Sequence, residues 1–553
     1  MRSTFMGLEA SKRGLFTQQT ALYTTGHNIS NANTLGYSRQ RVNMQATPGF
    51  PTAGLNSPSY PGHLGTGVEA TSIQRIRDEF IDRQYRQETN KLGYWESRTK
   101  AISQMEDVLS EPSEFGINQA FNDFWKALED VGANPEDTAA RKVALSKAQA
   151  LAEAFNYNDT QLKAIQQNLG NEINVSKNNI NSLLKQIAAI NKQIQEVEPN
   201  GYVPNDLYDA RDVLVDQLNE FIPVSIERVP SGGLASDVAE GSLTIKFTPY
   251  PNGDPITLVS GKNYVEISIT GNEADKDING DSLSNIFKQI NVSKLGEPPV
   301  KPIPNDPDSE TISYDELEPS KGRFVSLIDS YGYEQTVAGV TTVKGLYPEM
   351  LAEFDKLVNS FAQLFNAMHA EGYQLDGKKA EEPDLFIGAD PVTGKFSAAS
   401  IKVNETIIKS PSLLAASSGE GEEGNGKWAI ELANLQKFNF DDSKAGTTQQ
   451  FMNKNVDIPA DIGLSGATFQ SYYQGMIGQM AVDGQESIRL QTNSESLLLN
   501  VANNRASMSS VSLDEEMTNM ITFQQAYNAN ARMITVVDET LDKIINGMGR
   551  VGL

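Results

Sequence analysis

LKAIQQNLGNEINVSKNNINSLLKQIAAINKQIQEV, residues 162–197, carries the strongest periodic signal in the chain. One row at seven-residue spacing is Leu162, Leu169, Ser176, Leu183, Ile190 and Val197. A second is Gln166, Ile173, Ile180, Ile187 and Ile194. Together they repeat about every 3.5 residues, the period of a helix packing along a seam. Such a helix spans roughly 55 Å at 1.5 Å per residue. Pro199-Asn200-Gly201 ends it, and Leu207, Leu214, Leu218 and Phe221 give a second helix over 205–222 that folds back on it. An internal helical bundle is the preferred reading of this seam over a coil between chains.

Outward from the seam, Asn134-Pro135-Glu136-Asp137 predicts a helix start, with Asn134 as cap and the two acids at the positive end of the dipole. Residues 78–110 have helical spacing. Residues 48–67 are rich in Pro and Gly and form a loop, and VEATSIQRI from Val68 alternates as a strand does. Beyond Pro223, LTIKF, ITLV and YVEISIT are β-prone runs separated by Asn252-Gly253 and Gly261-Lys262. Residues 271–320 are acidic and Pro-rich, an exposed excursion. Helical pattern resumes near 346 and returns over 466–503 and 513–546, with 385–428 irregular between.

Both chain ends carry narrow apolar stripes. The first is Leu8, Leu15, Leu22 and Ile29. The last is Leu513, Met520, Tyr527, Ile534 and Leu541, on a helix that Ser512 and Glu515 start as a Ser-x-x-Glu capping box. An isolated amphipathic helix is marginal by itself, so each end needs a partner: the other end, a neighbouring subunit, or both. The expected fold is mainly α with an inserted β-rich domain and long axial helices from both termini packed together. Residues 1–60 with 504–553 are the assembly core. Residues 61–222 with 345–503 are a helical rod, and 223–344 an outer β domain.

Composition excludes several function classes. The 553 residues carry a net charge of −25, which repels nucleic acid and anionic membranes. There is no cysteine, hence no disulfide, thiol nucleophile or thiolate metal site. That suits a protein that leaves the cell unfolded. The first twenty residues lack the apolar run of a cleaved leader, and no stretch is long and apolar enough to span a membrane. His27, His63 and His369 are far apart and form no metal-binding pair. Asp275-Lys-Asp277-Ile-Asn279-Gly280 opens like a calcium loop but has Ile286 where a bidentate Glu belongs. Gly62, Gly65 and Gly67 do not have dinucleotide-loop spacing. The reading is therefore no catalytic residue, no cofactor and no metal, in a protein that is not an enzyme.

Asn28-Ile-Ser-Asn31-Ala-Asn33-Thr-Leu-Gly36-Tyr37 resembles the N-terminal signature of bacterial flagellar axial proteins. Ser38-Arg39-Gln40 continues it as in the hook-associated protein 1 family, the hook–filament junction proteins. Gly65-Thr-Gly67-Val68, Asn205-Asp206-Leu207 with Arg211-Asp212, Phe365-Asn366-Ala-Met-His369, Leu432-Ala-Asn434, and Phe523-Gln-Gln-Ala-Tyr527 are similar to later blocks in the same order. The resemblance implies a structural subunit that joins hook to filament in a ring of copies. Its implied partners are hook protein, the second junction protein and a cytosolic export chaperone on the C-terminal region. It implies an extracellular location reached by type III export without a cleaved leader. A hook or rod subunit, or a secreted helical-stalk adhesin or effector, is the alternative.

Overall fold

The computed structural model describes residues 5–50, 65–110, 116–251, 253–271, 286–300, 309–337, 339–380, 384–440, 442–460, 462, 464 and 466–547. Gly62, His63, most of the 48–67 loop, Asn252 and the calcium-loop look-alike up to residue 285 lie outside them.

Helices from opposite ends of the chain lie side by side. α1 (Phe5–Ser30) and α11 (Leu513–Asp542) run antiparallel. A Cβ on Gly7 would meet Val537, one on Gly14 would meet the Asn530 amide at 2.9 Å, and Asn28 bonds Glu516. The buried face of α1 is made of small and polar residues: Gly14, Thr17, Ala21, Thr24, Thr25 and Asn28. Leu8, Leu15, Leu22 and Ile29, each one position beyond the Gly7–Gly14–Ala21–Asn28 row, are half-buried. Small side chains let the two backbones approach, and the large ones flank the seam.

A hairpin follows, β1 (Gln40–Ala46) antiparallel to β2 (Val68–Arg75), with Gln40 opposite Arg75 and an irregularity at Asn43/Met44. Thr17 Oγ1 donates to Val68 O at 3.2 Å and holds the hairpin under α1. α2 (Glu79–Leu109) starts at Asp78, whose carboxylate accepts from the Phe80 and Ile81 amides. It packs along α10 (Phe469–Ser509), the helix that leads into α11.

α3 (Ile117–Ala133) precedes α4 (Thr138–Val197), a single helix of 60 residues and about 90 Å. The cap of α4 is Asp137, whose side chain accepts from Ala139 N. Asn134, expected in that role, instead closes α3 by donating its N–H to Asp130 O. The start lies three residues later because the carboxylate nearest the first free amides takes them. Gly201, at φ +85°, ends the helical turn after α4, and α5 (Asn205–Phe221) returns alongside.

Two sheets pack on the C-terminal half of α4. One is antiparallel in the order β3 (Ser225–Val229), β4 (Ser242–Phe247), β5 (Ile256–Ser260), β6 (Asn263–Tyr264). The other contains β7 (Ile267–Gly271), β8 (Phe287–Val292), β9 (Glu310–Ser313), β10 (Tyr333–Val337) and β11 (Val340–Lys344), in the order β11–β10–β8–β7 with β9 also on β8. Between β9 and β10 in sequence is α6 (Arg323–Tyr331). Ile173, Ile180 and Ile187 are buried among these strands, α5 and α6, and Ile194 is buried further along the same row. Two asparagines of α4 act as strand surrogates. Asn181 Oδ1 accepts from Ile267 N and its Nδ2 donates to Ile267 O, both at 2.8 Å. Asn191 does the same with Leu243 at 3.1 and 2.9 Å. Each pair satisfies a buried peptide group that lacks a strand partner there.

α7 (Leu346–Ala370) begins the remainder. Short pieces β12 (Phe386–Ile387), β13 (Lys402–Val403), α8 (Glu405–Lys409), α9 (Lys427–Asn434), β14 (Thr448–Phe451) and β15 (Lys454–Asp457) follow. They enclose a second core with α3, α7 and the N-terminal half of α4. Phe121, Phe124, Phe361 and Phe386 meet there at ring distances of 5.0–6.2 Å.

The expected fold class is the one observed: mainly helical, with helices from both termini packed together and a strand-containing middle. Its cores are divided differently from the sequence reading. Strands β4, β5, β7, β8 and β9 of 223–344 share one core with the 162–197 seam, because their apolar faces have α4 as their cover. The 385–428 stretch, irregular in pattern, contributes Leu385, Phe386, Ile401 and Trp428 to the other core.

Candidate functional site at the base of the terminal helix pair

The signature segment between α1 and β1 folds back as successive turns, with Thr34 N bonded to Asn31 O and Tyr37 N to Thr34 O. Gly36 sits at φ +80°, and a Cβ there would run into the Val213 Cγ2 methyl. Only glycine meets both conditions. The turn drops Tyr37–Gln40 into a polar knot centred on Asn28, which is 1% exposed. Asn28 Oδ1 accepts from the Tyr37 hydroxyl (2.8 Å) and Gln40 N (3.0 Å). Its Nδ2 donates to Gln40 O (2.8 Å) and to Glu516 Oε2 (3.0 Å). All four bonds of one amide are made inside the protein.

Arg39 completes the tie to α11. Its Nε donates to Glu516 Oε1 at 2.8 Å and its guanidinium to Glu515 at 2.6 Å, while its backbone N–H donates to Ser509 O. Glu515 is therefore drawn to Arg39, and Ser512 caps α11 without a side-chain bond, so the expected capping box does not form. A charge-assisted bond to guanidinium outcompetes a single amide. Burial, followed by Asp206, Asp209 and Glu516, pushes the Tyr37 hydroxyl up, which keeps it a donor.

Beneath the knot is an ion lattice. Ser38 gives both N–H and Oγ to Asp209 (3.0 and 2.7 Å). Arg75, 2% exposed in its side chain, binds Asp209 (2.7 Å), Asp212 (3.0 Å) and Glu240. Asp212 also receives Arg77, with Arg86 at 3.6 Å. Arg505 of α10 reaches Asp82 at 2.7 Å and Asp216 at 2.8 Å over the Tyr85 ring. Burial alone would raise Asp212, but Arg77, Arg75, Arg86 and Arg211 outweigh it and hold the carboxyl well below the usual range. Asp209 goes the other way: burial raises it, and Arg75 and Ser38 offset only part.

The structure brings Asn28, Gly36, Tyr37 and Arg39 together. Asn31 stays local, donating to His27 O, and Asn33 points to solvent. Met520, Tyr527, Ile534 and Leu541 are half-buried and Leu513 is 48% exposed. Roles for Arg75, Asp209, Asp212 and Arg505 are missing from the sequence reading. Asp209, Asp212 and Asp216 share one face of α5 at spacings of three and four, a signal for a buried acidic stripe that the arginines answer. Among the described residues no group of three or more His, Asp or Glu is placed to hold a metal, and no helix is long and apolar enough to cross a membrane.

A rod of long helices whose two chain ends pair, locked by a buried signature turn, is the architecture of a flagellar axial structural protein. Residues 102–386 match the flagellar hook-associated protein FlgK helical domain, and 502–547 match the C-terminal region of the flagellar basal body rod FlgEFG proteins. The chain is 39% identical over 551 residues to flagellar hook-associated protein 1 of Bacillus subtilis strain 168, covering 99% of each. It is 23% identical over 596 residues to the protein of that name in Escherichia coli K12, covering 96% of this chain and 98% of that one. Its fold resembles the flagellar hook junction protein FlgK from Burkholderia pseudomallei, with TM-score 0.54 and 14% identity over 78% of this chain and 100% of that one. The chain belongs to the flagellar hook-associated protein 1 family, whose members are structural proteins of the flagellum.

Proposed function

We propose that this protein joins the flagellar hook to the filament, as a ring of copies between hook protein and the second junction protein. It reaches that place by type III export, with a cytosolic chaperone holding the C-terminal region. Residues 1–60 and 504–553 are the assembly core.

The observation that carries this reading is the state of the terminal pair. Among the described residues, Ala21 is the one fully buried hydrophobic of α1, and α11 has none. Phe5, Phe16, Tyr23, Met517, Ile521, Met533 and Val536 are each more than half exposed. A helix pair with a seam and no core is stable only under further cover. Neighbouring subunits supply it, and burial between them offsets the ordering of the ends.

Electron microscopy of cells lacking the protein tests the reading. Hooks without filaments, with flagellin shed into the medium, are expected; normal filaments overturn it. Met520→Asp with Tyr527→Asp should block assembly while the two cores stay folded by circular dichroism.

A further inference from the structure

α1 has a second face that α11 leaves uncovered. Lys12, Phe16, Gln19 and Tyr23 follow one another at spacings of four, three and four, one line along a helix. Phe16 is 56% and Tyr23 81% exposed. With Val203 and Leu207 they wall an open cavity of about 780 Å³. α11 carries a line of the same spacing, Ala529, Met533, Val536 and Thr540, in which Met533 is 53% and Val536 51% exposed. Neither line is part of the seam within the chain, which runs through Gly7, Gly14, Ala21 and Asn28 against Glu516, Asn530 and Val537.

We propose that the two lines mate between copies: α11 of one subunit lies antiparallel in the groove beside α1 of the next. This rests on the reading that the chain assembles through its terminal helices, and it names the surfaces and their register.

The antiparallel register sets Tyr23 against the small Ala529, Gln19 against Met533 and Phe16 against Val536, large side chains into gaps as knobs enter holes. It sets Lys12 against Thr540, beside the exposed Glu539 and within a turn of Asp542. The parallel alignment of the same lines would bring Lys12 within a turn of Arg532 instead. Copies of a chain with net charge −25 repel one another, so a contact that answers acids with a lysine selects its register. Copies related by rotation about an axis along the helices also present α11 antiparallel to a neighbour's α1, because the two are antiparallel within each copy. The two surfaces differ, so the contact is head-to-tail and extends around a ring or along a screw. A second copy is thus the occupant that fits in shape, charge and direction.

The chain has no cysteine, so engineered ones report alone. Full-length Phe16→Cys and Val536→Cys chains are co-expressed in cells lacking the native protein, and intact flagella are oxidised with copper–phenanthroline. A mixed disulfide dimer several-fold above the dimer from either variant alone is expected. No excess of mixed dimer overturns the docking. If Phe16→Cys fails to assemble, Gln19→Cys with Met533→Cys reads the same register, and absence of that dimer also overturns it. Lys12→Glu and Glu539→Lys should each reduce assembled protein and together restore it; a double variant no better than the worse single one is an overturning result. Normal filaments without the protein defeat the junction reading, whereas filament loss without cross-links defeats this docking alone.

Discussion

Asn28 Nδ2 and Glu516 Oε2 are 3.0 Å apart across 488 residues of chain, and this one bond joins the first helix of the molecule to the last. The same carboxylate takes Arg39 Nε, so a charge that is 2% exposed is fully answered by one amide and one guanidinium. Leaving either side without its partner strands a buried polar group.

Asn28→Ala removes four hydrogen bonds and leaves Gln40 and Glu516 short of partners. A loss of about 2–4 kcal/mol in the stability of the terminal pair is expected, with faster amide exchange in α1 and α11 and little change in α4. Asn28→Asp should do no better, since it removes the donor and places a second carboxyl beside Glu516. Hydrogen-exchange mass spectrometry resolves the segments, and uniform exchange changes would contradict a local role.

Gly36→Ala meets two obstacles: φ +80° and the Val213 methyl. A destabilisation of about 2 kcal/mol or more is expected. Adding Val213→Ala relieves the clash and not the backbone strain, so the double variant should recover only part. Thermal denaturation of the four members of the cycle measures the two contributions.

Gly14→Leu acts on the seam. Its Cβ position is already 2.9 Å from the Asn530 side-chain amide, so a leucine there must displace that amide and crowd the α11 face behind it. Assembly should be lost while both cores melt as before, and wild-type assembly by this variant would show that the close approach is dispensable.

Asp212 gives a pH dependence of definite sign. Its folded pKa lies below the unfolded value, so its stabilisation is complete above about pH 4 and is lost as pH falls through the lowered value. Asp209, raised by burial, works oppositely: its ionisation weighs against the fold, and that penalty lifts as pH falls. Asp212→Asn separates the two. Its deficit against the parent, about 3 kcal/mol at pH 7, should shrink steadily below about pH 4 in urea titrations.

Ile187→Ala distinguishes an internal seam from one between chains. Ile187 is fully buried between α4 and the strands, so the unassembled protein should lose about 2–5 kcal/mol. An unchanged monomer would place the seam elsewhere.

The seam of α4 was legible because Ile173, Ile180, Ile187 and Ile194 repeat at helical period whatever covers them. What covers them was not, since strands and helices accept the same apolar row. α3 has no counterpart in the sequence reading, although Phe121, Phe124, Trp125 and Leu128 lie at core-facing spacing. At the chain ends the leucines mark the stripe, yet the small buried Gly14 and Ala21 make the face that α11 covers. Periodicity weighs bulk, and close approach depends on its absence. The signature residues Asn28, Gly36, Tyr37 and Arg39 were visible as a pattern. Their arrangement around Glu516 was not, because pairing between distant charges leaves no period in sequence. The Ser512–Glu515 motif misled for the same reason: Arg39, far away in the chain, competes for the carboxylate.

α4 enters both cores, its first half beside α3 and α7 and its second beside the sheets. No linker separates those bodies along it, so a swivel of one against the other must bend or twist one continuous 60-residue helix. A turn applied to one body is therefore carried to the other through a single shaft rather than taken up in a joint along α4.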